Sequence, residues 1–445
     1  MQDPKKAQAD SISSKIIYSG TTLLLVTLAM SVAMLTACAP QNNYSSVMPD
    51  STQNCGGAAV QAKYIVHNLD GTWDFQEEPD RTKFIDKYVK PNFEKIHFIE
   101  YDQRISAFQV HIDSTGPTQG DPAINNWGAA AINAEAAWAA GARGNGVIVA
   151  VVDSGVDITH PQLKNQIAYN TGEMGTDSSG RDKTTNQVDD DGNGFVDDYA
   201  GYNFVENNGI MHDDVGHGTH VSGIIAAEHT DTTIKTGYVQ GVAPQAKILP
   251  VRFLGSTNGG LLSDALKAMD YAVMRGAKII NASWGGPGCA TSLQQKISDL
   301  SNQNVLFVAA AGNSGANLDL SPEYPAAYSL PLQLTIGAIA NSLFQDYYSN
   351  YSKHLVHFFA PGTAIVSTVP TKGAAEGSTT GYISMTGTSM ATPFAVGAAA
   401  VLLSAKAGVT IQTVRSALLQ TVDQNATYVN VTQGRLDIAR GLNAL

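Results

Sequence analysis

Short apolar runs that alternate with amphipathic stretches are the feature that most restricts how this chain can fold. The runs are VIVAVVD (147–153), KILPVRF (247–253), KIINASW (278–284) and VLFVAAAG (305–312). Helical spacing fills the intervals, most clearly in SDALKAMDYAVMRG, where Ser263 is the expected N-cap and Gly276 the expected C-terminal stop. Apolar strands separated by helices predict an α/β domain in which a mostly parallel sheet lies between two layers of helices.

The first residues predict export from the cytoplasm. Lysines precede a short apolar stretch (23–35) that ends in LTAC, and this arrangement describes a secretory signal. LTAC resembles a bacterial lipobox, which implies cleavage before Cys38 and lipidation of its sulfur. We expect residues 1–37 to be a lipoprotein signal peptide. The rest of the chain is then secreted, extracytoplasmic and anchored by lipid to a membrane or cell surface. An uncleaved transmembrane helix is the alternative.

Composition separates three regions after the signal. Residues 38–60 are rich in Gln, Asn, Ser and Gly and predict a flexible tether. KYIVHNL and AFQVHID alternate like strands, and DRTKFIDKYVK has helical spacing. Residues 61–120 therefore predict a small α+β unit that ends in a linker with Gly and Pro. Residues 121–445 contain the sheet and form the main domain.

Charge and cysteine content limit the partners and the covalent framework. The formal net charge is −12, which argues against nucleic acid as a partner because phosphates repel an acidic protein. The chain has three cysteines, too few for a disulfide scaffold. With Cys38 lipidated, Cys55 and Cys289 remain as a candidate pair, and nothing in the sequence shows that they are close.

Three polar residues stand at the ends of predicted elements. Asp153 ends an apolar strand, His217 begins the helical stretch HGTHVSGIIAAE, and Ser389 precedes the apolar run of GTSMATPFAVGAAAVLL. Singly, each has a simpler structural interpretation as a turn former, a buried histidine or a helix cap. Pro393 suits a first helical turn, which places Ser389 at or just before a helix N-terminus. Together, an acid, a histidine and a serine in this order indicate a catalytic triad.

The surrounding motifs resemble the active-site signatures of the subtilisin-like serine proteases, the subtilases. The matching stretches are VAVVDSGVDITHPQL, GHGTHVSG, AAAGNSG and GTSMATPFAVG, and the similarity covers about residues 121–445. It implies an endopeptidase that acts on proteins or peptides and is made with a propeptide. In that family's mechanism, Asp153 orients His217, and His217 removes the proton of Ser389. Asn313 and the Ser389 N–H would hold the oxyanion.

The resemblance also implies which residues contact substrate. SWGG resembles the edge strand that pairs with the substrate backbone. The residues assigned in this way are Ser283, Trp284, Gly285, Ala310, Ala311 and Gly312. His160 and His220 match structural positions, and His212 and Asp213 are expected to line the loop before His217. The family commonly has histidine where this chain has Phe394, which leaves the triad in place but puts the local packing in doubt.

The acidic stretch VDDDGNGFVDD (188–198) predicts a structural calcium site. Its oxygen-bearing residues are spaced by two, as in the first half of an EF-hand loop, although Ala200 takes the place of the closing glutamate. Hard oxygen ligands favour Ca2+ over zinc. The expected ligands are Asp189, Asp191, Asn193, the carbonyl of Phe195, and Asp197 or Asp198. A solvated acidic loop without metal is the alternative.

The position of the α+β unit predicts that it is an inhibitory propeptide. Cleavage is expected in the linker between Ser114 and Trp127. It would release the main domain from the lipid unless the two parts stay bound, for instance through Cys55 and Cys289. Two other functions stay open: a catalytically silent surface binding protein on the same fold, and an esterase. The esterase elbow G-x-S-x-G is absent at Ser389. The sequence does not give the substrate preference.

Overall fold

The computed structural model describes most of the chain after the predicted signal. The described residues are 44–49, 55–114, 126–229, 238–257 and 259–445. The chain divides into two compact units, Met1–Ser46 and Val47–Leu445. Of the first, the structure describes the 3-10 turn Tyr44–Ser46, and all that follows concerns the second. The predicted signal peptide, Cys38 and the expected cleavage linker lie outside the described residues, apart from the ends of that linker. Within the described ranges, no helix has the length and apolar character needed to cross a bilayer.

Residues 55–114, the N-terminal segment, form a small α+β unit. Its elements are β1 (Ala59–Asn68), β2 (Trp73–Glu77), α1 (Arg81–Phe84), the π-helical turn Ile85–Val89, α2 (Lys90–Asn92), β3 (Ile96–Ala107) and β4 (His111–Ser114). β1 lies between β2 and β3 and pairs with both in antiparallel register. The predicted strand KYIVHNL lies in and just beyond β1, and AFQVHID spans the end of β3 and the start of β4.

The main sheet has nine strands and is mostly parallel, which confirms the parallel sheet that the alternation in the sequence predicts. The strands of residues 126–445 are β5 (Ile148–Asp153), β6 (Tyr202–Asn203), β7 (Lys247–Arg252), β8 (Gly260–Leu261), β9 (Ile279–Ala282), β10 (Trp284–Gly285), β11 (Leu306–Ala310), β12 (Gln333–Ile339), β13 (Phe358–Pro361), β14 (Ile365–Thr368), β15 (Tyr382–Thr386), β16 (Asp423–Gln424) and β17 (Gly434–Arg435). The order in the main sheet is β16-β17-β13-β12-β11-β9-β5-β7-β6. All described pairs in this sheet are parallel except β16 with β17.

Helices cover both faces of this sheet. They are α3 (Trp127–Ala131), α4 (Ala134–Ala139), α5 (His217–Ala226), α6 (Leu262–Met274), α7 (Thr291–Asn302), α8 (Thr388–Ser404), α9 (Ile411–Gln420) and α10 (Ile438–Asn443). Val149 and Val151 of β5 belong to the core that contains α5 and α8, whereas Ala150 and Val152 belong to the core with α6 and α7. Successive side chains of a strand point to opposite faces, so a continuous apolar run is what a doubly covered strand requires.

The start of α6 differs from the prediction that Ser263 is its N-cap. The helix begins at Leu262, so Ser263 lies in its first turn. The Ser263 N–H donates to Asp102 Oδ1 at 3.0 Å, and its Oγ donates to Oδ2 at 2.6 Å. The capping carboxylate therefore comes from the N-terminal segment, 161 residues earlier in the chain. Local sequence rules find caps supplied by adjacent residues and cannot find this one.

Strand pairing joins the N-terminal segment to the main domain on both sides of one cleft. β3 pairs with β8 and β10, and β4 pairs with β15, which also pairs with β14. These pairs are antiparallel. The residues between β3 and β4 therefore cross the edge of the domain at which β5 and β11 end.

Candidate active site

Asp153 and His217 meet in the interior at the carboxyl end of the main sheet. Asp153 is the last residue of β5 and His217 is the first of α5, and both are almost fully buried. Asp153 Oδ1 lies 2.8 Å from His217 Nδ1 and also accepts from the Ser154 N–H at 2.7 Å. Within the described residues, His217 Nε2 has no hydrogen-bond partner. The ring is thus oriented by Asp153 and presents an unpaired nitrogen on its other side.

The charge around His217 favours its protonated form. Burial by itself lowers the pKa of His217. The charge and hydrogen bond of Asp153, with the nearby carboxylates Glu376 and Asp213, outweigh burial and raise the pKa to about 9. Glu376 is itself buried, and burial raises the pKa of its carboxyl group. The imidazolium that forms when a base takes a proton is therefore stabilised here.

Asp213 fixes the loop that leads into α5, a role that the sequence did not reveal. Its Oδ1 accepts from Ser154 Oγ at 2.9 Å and from the Gly216 N–H at 2.8 Å. Its Oδ2 accepts from the N–H and the hydroxyl of Thr219 at 2.9 and 2.6 Å. Ser154 Oγ in turn accepts from the Gly218 N–H at 2.9 Å. This buried carboxylate ties the end of β5 to the start of α5 and so holds Asp153 and His217 in register.

Ser389 is the second residue of α8 and is held by Ser283. Ser389 Oγ donates to the Ser283 carbonyl at 3.0 Å, and Ser283 Oγ donates to the Ser389 carbonyl at 3.0 Å. Pro393 lies in the second turn of α8 rather than in the predicted first turn. In a regular helix the N–H of residue 393 would donate to the Ser389 carbonyl. Proline has no N–H, so this carbonyl can accept from Ser283 instead. The structure does not bring Ser389 Oγ into a hydrogen bond with His217.

Asn313 follows β11 and presents its amide nitrogen to a peptide group. Its Nδ2 donates to the carbonyl oxygen of Gln109 at 2.7 Å. Its Oδ1 accepts from both the N–H and the hydroxyl of Thr388 at 2.8 Å. Thr388 Oγ1 also accepts from the Gly312 N–H at 3.0 Å. Thr388 therefore determines the orientation of the Asn313 amide. This role was not predicted from the sequence, because the prediction rested on charged and nucleophilic side chains.

Two residues that were predicted to bind substrate, Trp284 and Gly285, pair with the N-terminal segment through their backbones. Trp284 pairs with Ala107 and Gly285 with Ser106, while the Trp284 ring is buried and donates to the Val152 carbonyl. A Cβ on Gly285 would lie 2.6 Å from the Phe108 ring, so glycine leaves room there for a bulky side chain.

The other part of the predicted substrate-binding set lies at the end of β11. Ala310 and Ala311 are fully buried, and the Ala311 carbonyl accepts from Asn350 Nδ2 at 2.9 Å. Gly312 has a φ of +102°, and a Cβ there would lie 2.3 Å from Glu323 Oε2. These residues shape the turn that presents Asn313.

The histidines predicted as structural are buried or paired away from the triad. His160 Nε2 lies 3.1 Å from the Gly381 carbonyl, and His220 Nε2 lies 3.0 Å from the Ile365 carbonyl. Burial lowers the pKa of both, that of His220 to about 3, and so favours the neutral form of each ring. His212 is partly exposed and lies 3.3 Å from Glu206.

Phe394 is buried against Gly128, where a Cβ would lie 2.3 Å from the Phe394 ring. Phe394 therefore fills core space near α3.

The acidic loop converges on a carboxylate that the sequence pattern did not include. Ligand atoms of Asp189, Asp191 and Glu173 all lie within 4.8 Å of one another. Glu173 Oε1 accepts from the Asp191 N–H at 3.0 Å, and its Oε2 is buried with no partner among the described residues. Burial raises the pKa of Glu173, and nearby Asp191 and Asp198 raise it further. An unpaired carboxylate oxygen among carboxylates fits a hard divalent cation.

The other expected ligands have different partners. Asp198 pairs with Arg275 at 2.8 Å and accepts from the Tyr271 hydroxyl at 2.7 Å. Asp197 accepts from the Gln187 N–H at 3.1 Å. Phe195 packs its ring in the core, and Asn193 Nδ2 donates to Asp191 Oδ2 at 3.2 Å. Asp197 and Asp198 therefore stay predicted ligands, and Glu173 is a further carboxylate that lies within 4.8 Å of Asp189 and Asp191.

Cys55 and Cys289 form a disulfide between the N-terminal segment and the main domain. Their Cα atoms lie 5.2 Å apart, and 234 positions separate them in sequence. Cys289 lies between β10 and α7, and its carbonyl accepts from Gln103 Nε2 at 2.8 Å. The bridge therefore lies next to the strands that pair with β3.

Comparison with known proteins agrees with this arrangement. The family model described as the subtilase family matches residues 144–435. The chain is 37% identical over 276 residues to the major intracellular serine protease of Bacillus subtilis (strain 168), covering 61% of this chain and 73% of that protein. It is 33% identical over 311 residues to thermitase of Thermoactinomyces vulgaris, covering 69% and 92%. It is 34% identical over 276 residues to subtilisin Savinase of Lederbergia lenta, covering 62% and 83%. The chain belongs to the subtilase family and is a subtilisin-like serine endopeptidase.

Proposed function

We propose that this protein is a secreted, lipid-anchored protease that cleaves peptide bonds with Asp153, His217 and Ser389 through an acyl-enzyme. One observation carries the proposal. The buried Asp153–His217 hydrogen bond of 2.8 Å lies at the same sheet edge as an Asn313 amide that donates to the carbonyl of Gln109 at 2.7 Å. An oriented base and an oxyanion donor beside a peptide group are what acyl transfer requires.

Ser389 supplies the attacking oxygen in this mechanism. Its Oγ donates to the Ser283 carbonyl, so its side chain must rotate about χ1 toward His217 Nε2, which has no partner among the described residues. His217 takes the proton as Oγ attacks the carbonyl carbon, and Asp153 stabilises the imidazolium. His217 then protonates the leaving amine. Water hydrolyses the resulting ester, and Ser389 is restored.

Two donors stabilise the oxyanion. Asn313 Nδ2 is one, and the backbone N–H of Ser389 is the other. Ser389 lies in the first turn of α8, where N–H groups have no acceptor within the helix and the helix dipole is positive. Losing one such donor typically costs ~3 kcal/mol of transition-state stabilisation.

The N-terminal segment is proposed to be the enzyme's own inhibitor. β3 pairs with β8 and β10, and β10 includes the residues expected to bind substrate. A substrate strand added to the same edges would have to displace β3, because each edge offers one row of backbone donors and acceptors. Competition for this cleft is the physical reason that the segment inhibits.

Export and lipid attachment are proposed from the sequence. The charged start, the apolar stretch (23–35) and the LTAC sequence that ends at Cys38 support a lipoprotein signal. The mature chain would then lie outside the cytoplasm, with the lipid of Cys38 in a membrane. A bridge between Cys55 and Cys289 is consistent with this location, because disulfides persist in oxidising compartments.

A structural Ca2+ is proposed beside the acidic loop. Asp189, Asp191 and Glu173 would hold it with carboxylate oxygens. The ion would supply positive charge that offsets their mutual repulsion. The loop lies between β5 and α5 in the chain, so ordering it would stabilise the elements that end in Asp153 and begin with His217.

Replacing Ser389 with alanine tests the catalytic proposal. We expect the fold to persist and peptide hydrolysis to fall by on the order of 10⁶-fold, because no other group supplies the nucleophile. Ser416→Ala, at an exposed position in α9, is the matched control and should keep full activity. A phosphonate probe for reactive serines should label wild type and the control only. Activity of Ser389→Ala within tenfold of wild type would exclude Ser389 as the nucleophile.

A further inference from the structure

The chain lies through its own cleft in the manner of a bound peptide. On one side, Arg104 pairs with Leu261 and Ala107 pairs with Trp284. On the other side, His111 pairs with Thr386. Between the two pairings, the Gln109 carbonyl accepts from Asn313 Nδ2 at 2.7 Å. Antiparallel pairing on both sides of one carbonyl is how a protease cleft holds a substrate backbone.

The bond that this arrangement presents is the one between Gln109 and Val110, which precedes the linker between Ser114 and Trp127 where the sequence predicts cleavage. An oxyanion donor marks the carbonyl oxygen that becomes negative, because the donor must lie about 3 Å from it. The Thr388 N–H and hydroxyl fix the Asn313 amide so that its nitrogen faces Gln109. The Gln109 carbonyl carbon is thus the electrophile that the site selects.

Cleavage at this bond would not free the N-terminal segment. Cys55 precedes the bond and Cys289 follows it in the chain, and the two form a disulfide. We propose that the mature enzyme consists of two chains, cut between Gln109 and Val110 and joined by the Cys55–Cys289 disulfide. This inference rests on the proposed peptide-bond hydrolysis by Ser389.

The chemistry of the cut balances with water as the only co-reactant. Ser389 Oγ forms an ester with the Gln109 carbonyl carbon as the bond to the Val110 nitrogen breaks and His217 protonates that nitrogen. Water then hydrolyses the ester, leaving a carboxylate on Gln109 and an amine on Val110. The disulfide is neither oxidised nor reduced in these steps.

Contacts of the N-terminal segment with the main domain would survive the cut. Glu100 accepts from the N–H groups of Thr291 and Ser292 at 2.6 and 2.8 Å, and Asp102 accepts from Ser263. Both carboxylates are buried against the ends of α6 and α7. A covalent link keeps the segment at a high effective concentration, so these contacts reform whenever they open. The segment therefore remains a competitor for the cleft after cleavage.

Intact mass and denaturing electrophoresis of the full chain test the proposal. Without reductant, wild type should be one species whose mass exceeds that of the uncut chain by one water. With dithiothreitol it should separate into a fragment ending at Gln109 and one beginning at Val110. The double variant Cys55→Ala/Cys289→Ala should separate in denaturant without reductant. Ser389→Ala should stay uncut in both conditions.

Activity assays measure the consequence. Dithiothreitol should raise peptide hydrolysis by wild type by on the order of 10²-fold, because it removes the linkage that concentrates the segment at the cleft. It is oxidised to its own disulfide while Cys55 and Cys289 become thiols. The double cysteine variant should not respond.

The outcomes separate this proposal from the proposed function. An active wild-type enzyme whose reduced fragments begin elsewhere, or whose fragments separate without reductant, overturns the proposal and leaves the protease assignment intact. Absence of peptide hydrolysis and of serine labelling in every form overturns the proposed function instead.

Discussion

Replacing Thr388 with valine should slow catalysis although Thr388 is neither a triad member nor an oxyanion donor. Its hydroxyl donates to Asn313 Oδ1 at 2.8 Å and accepts from the Gly312 N–H at 3.0 Å. Valine keeps the shape and the backbone N–H of residue 388, which also donates to Asn313 Oδ1. The variant thus loses one of two bonds that orient the amide and leaves the Gly312 N–H without its acceptor.

The loss of transition-state stabilisation in Thr388→Val should lie between that of one hydrogen bond and that of the whole Asn313 donor. A neutral hydrogen bond contributes about 1 kcal/mol, and a buried donor left unpaired costs about 1–3 kcal/mol. Loss of the Asn313 donor itself, as in Asn313→Leu, costs about 3 kcal/mol. In Thr388→Val the amide is present but less well held, so we expect a loss of about 1–2 kcal/mol. This corresponds to a fall in kcat of about 5–30-fold.

The assay is peptide hydrolysis by mature enzyme at saturating substrate. Thr392→Val is the matched control, because its hydroxyl donates to the Thr388 carbonyl along the same helix and not to Asn313. The double variant Thr388→Val/Asn313→Leu should be no slower than Asn313→Leu alone, since Thr388 acts through Asn313. Additive losses in the double variant, or an unchanged kcat in Thr388→Val, would refute the positioning role.

Two further perturbations test the metal and the base. Calcium that binds only the folded enzyme at 100 times its Kd would stabilise it by about 2.7 kcal/mol, so EDTA should lower the Tm of the inhibited enzyme. Glu173→Gln should abolish that difference, and equal Tm values for wild type with EDTA and with calcium would contradict a metal site. Glu376→Gln removes a carboxylate that raises the pKa of His217. Because the base acts only when neutral, the acidic limb of the kcat/KM profile should move to lower pH, and an unchanged limb would argue against this coupling.

Local pattern predicts which polar residues lie at the ends of strands, whereas the role given to Asn313 comes from the resemblance to the subtilases. Asp153 follows an apolar run and Asn313 follows another, and both runs are parallel strands in the main sheet. Parallel strands place their carboxyl ends at one edge, so residues far apart in sequence converge there. Sequence alone supports this reasoning, because apolar runs and helical spacing are properties of short stretches.

Roles that depend on distant partners were missed or misassigned. Asp102 replaces the expected Ser263 cap, and Glu173, which the acidic motif does not include, lies within 4.8 Å of Asp189 and Asp191. Cys55 and Cys289 were a candidate pair by elimination, but nothing in the 234 positions between them predicts that they are close. Each of these contacts follows from how folded elements meet, and residue spacing within a motif carries no information about it.

The helices of the main domain explain why retention of the N-terminal segment has consequences for stability as well as for activity. The N-cap positions of α6 and α7 are Leu261 and Ala290, and neither offers a side-chain acceptor. Asp102 and Glu100 accept instead from first-turn N–H groups, which have no acceptor within their own helices. A capping acceptor is worth about 1 kcal/mol, and a carboxylate beside a helix N-terminus gains further from the dipole. The two helices therefore take part of their stability from the N-terminal segment, and a disulfide that outlasts cleavage would keep that contribution in the mature enzyme.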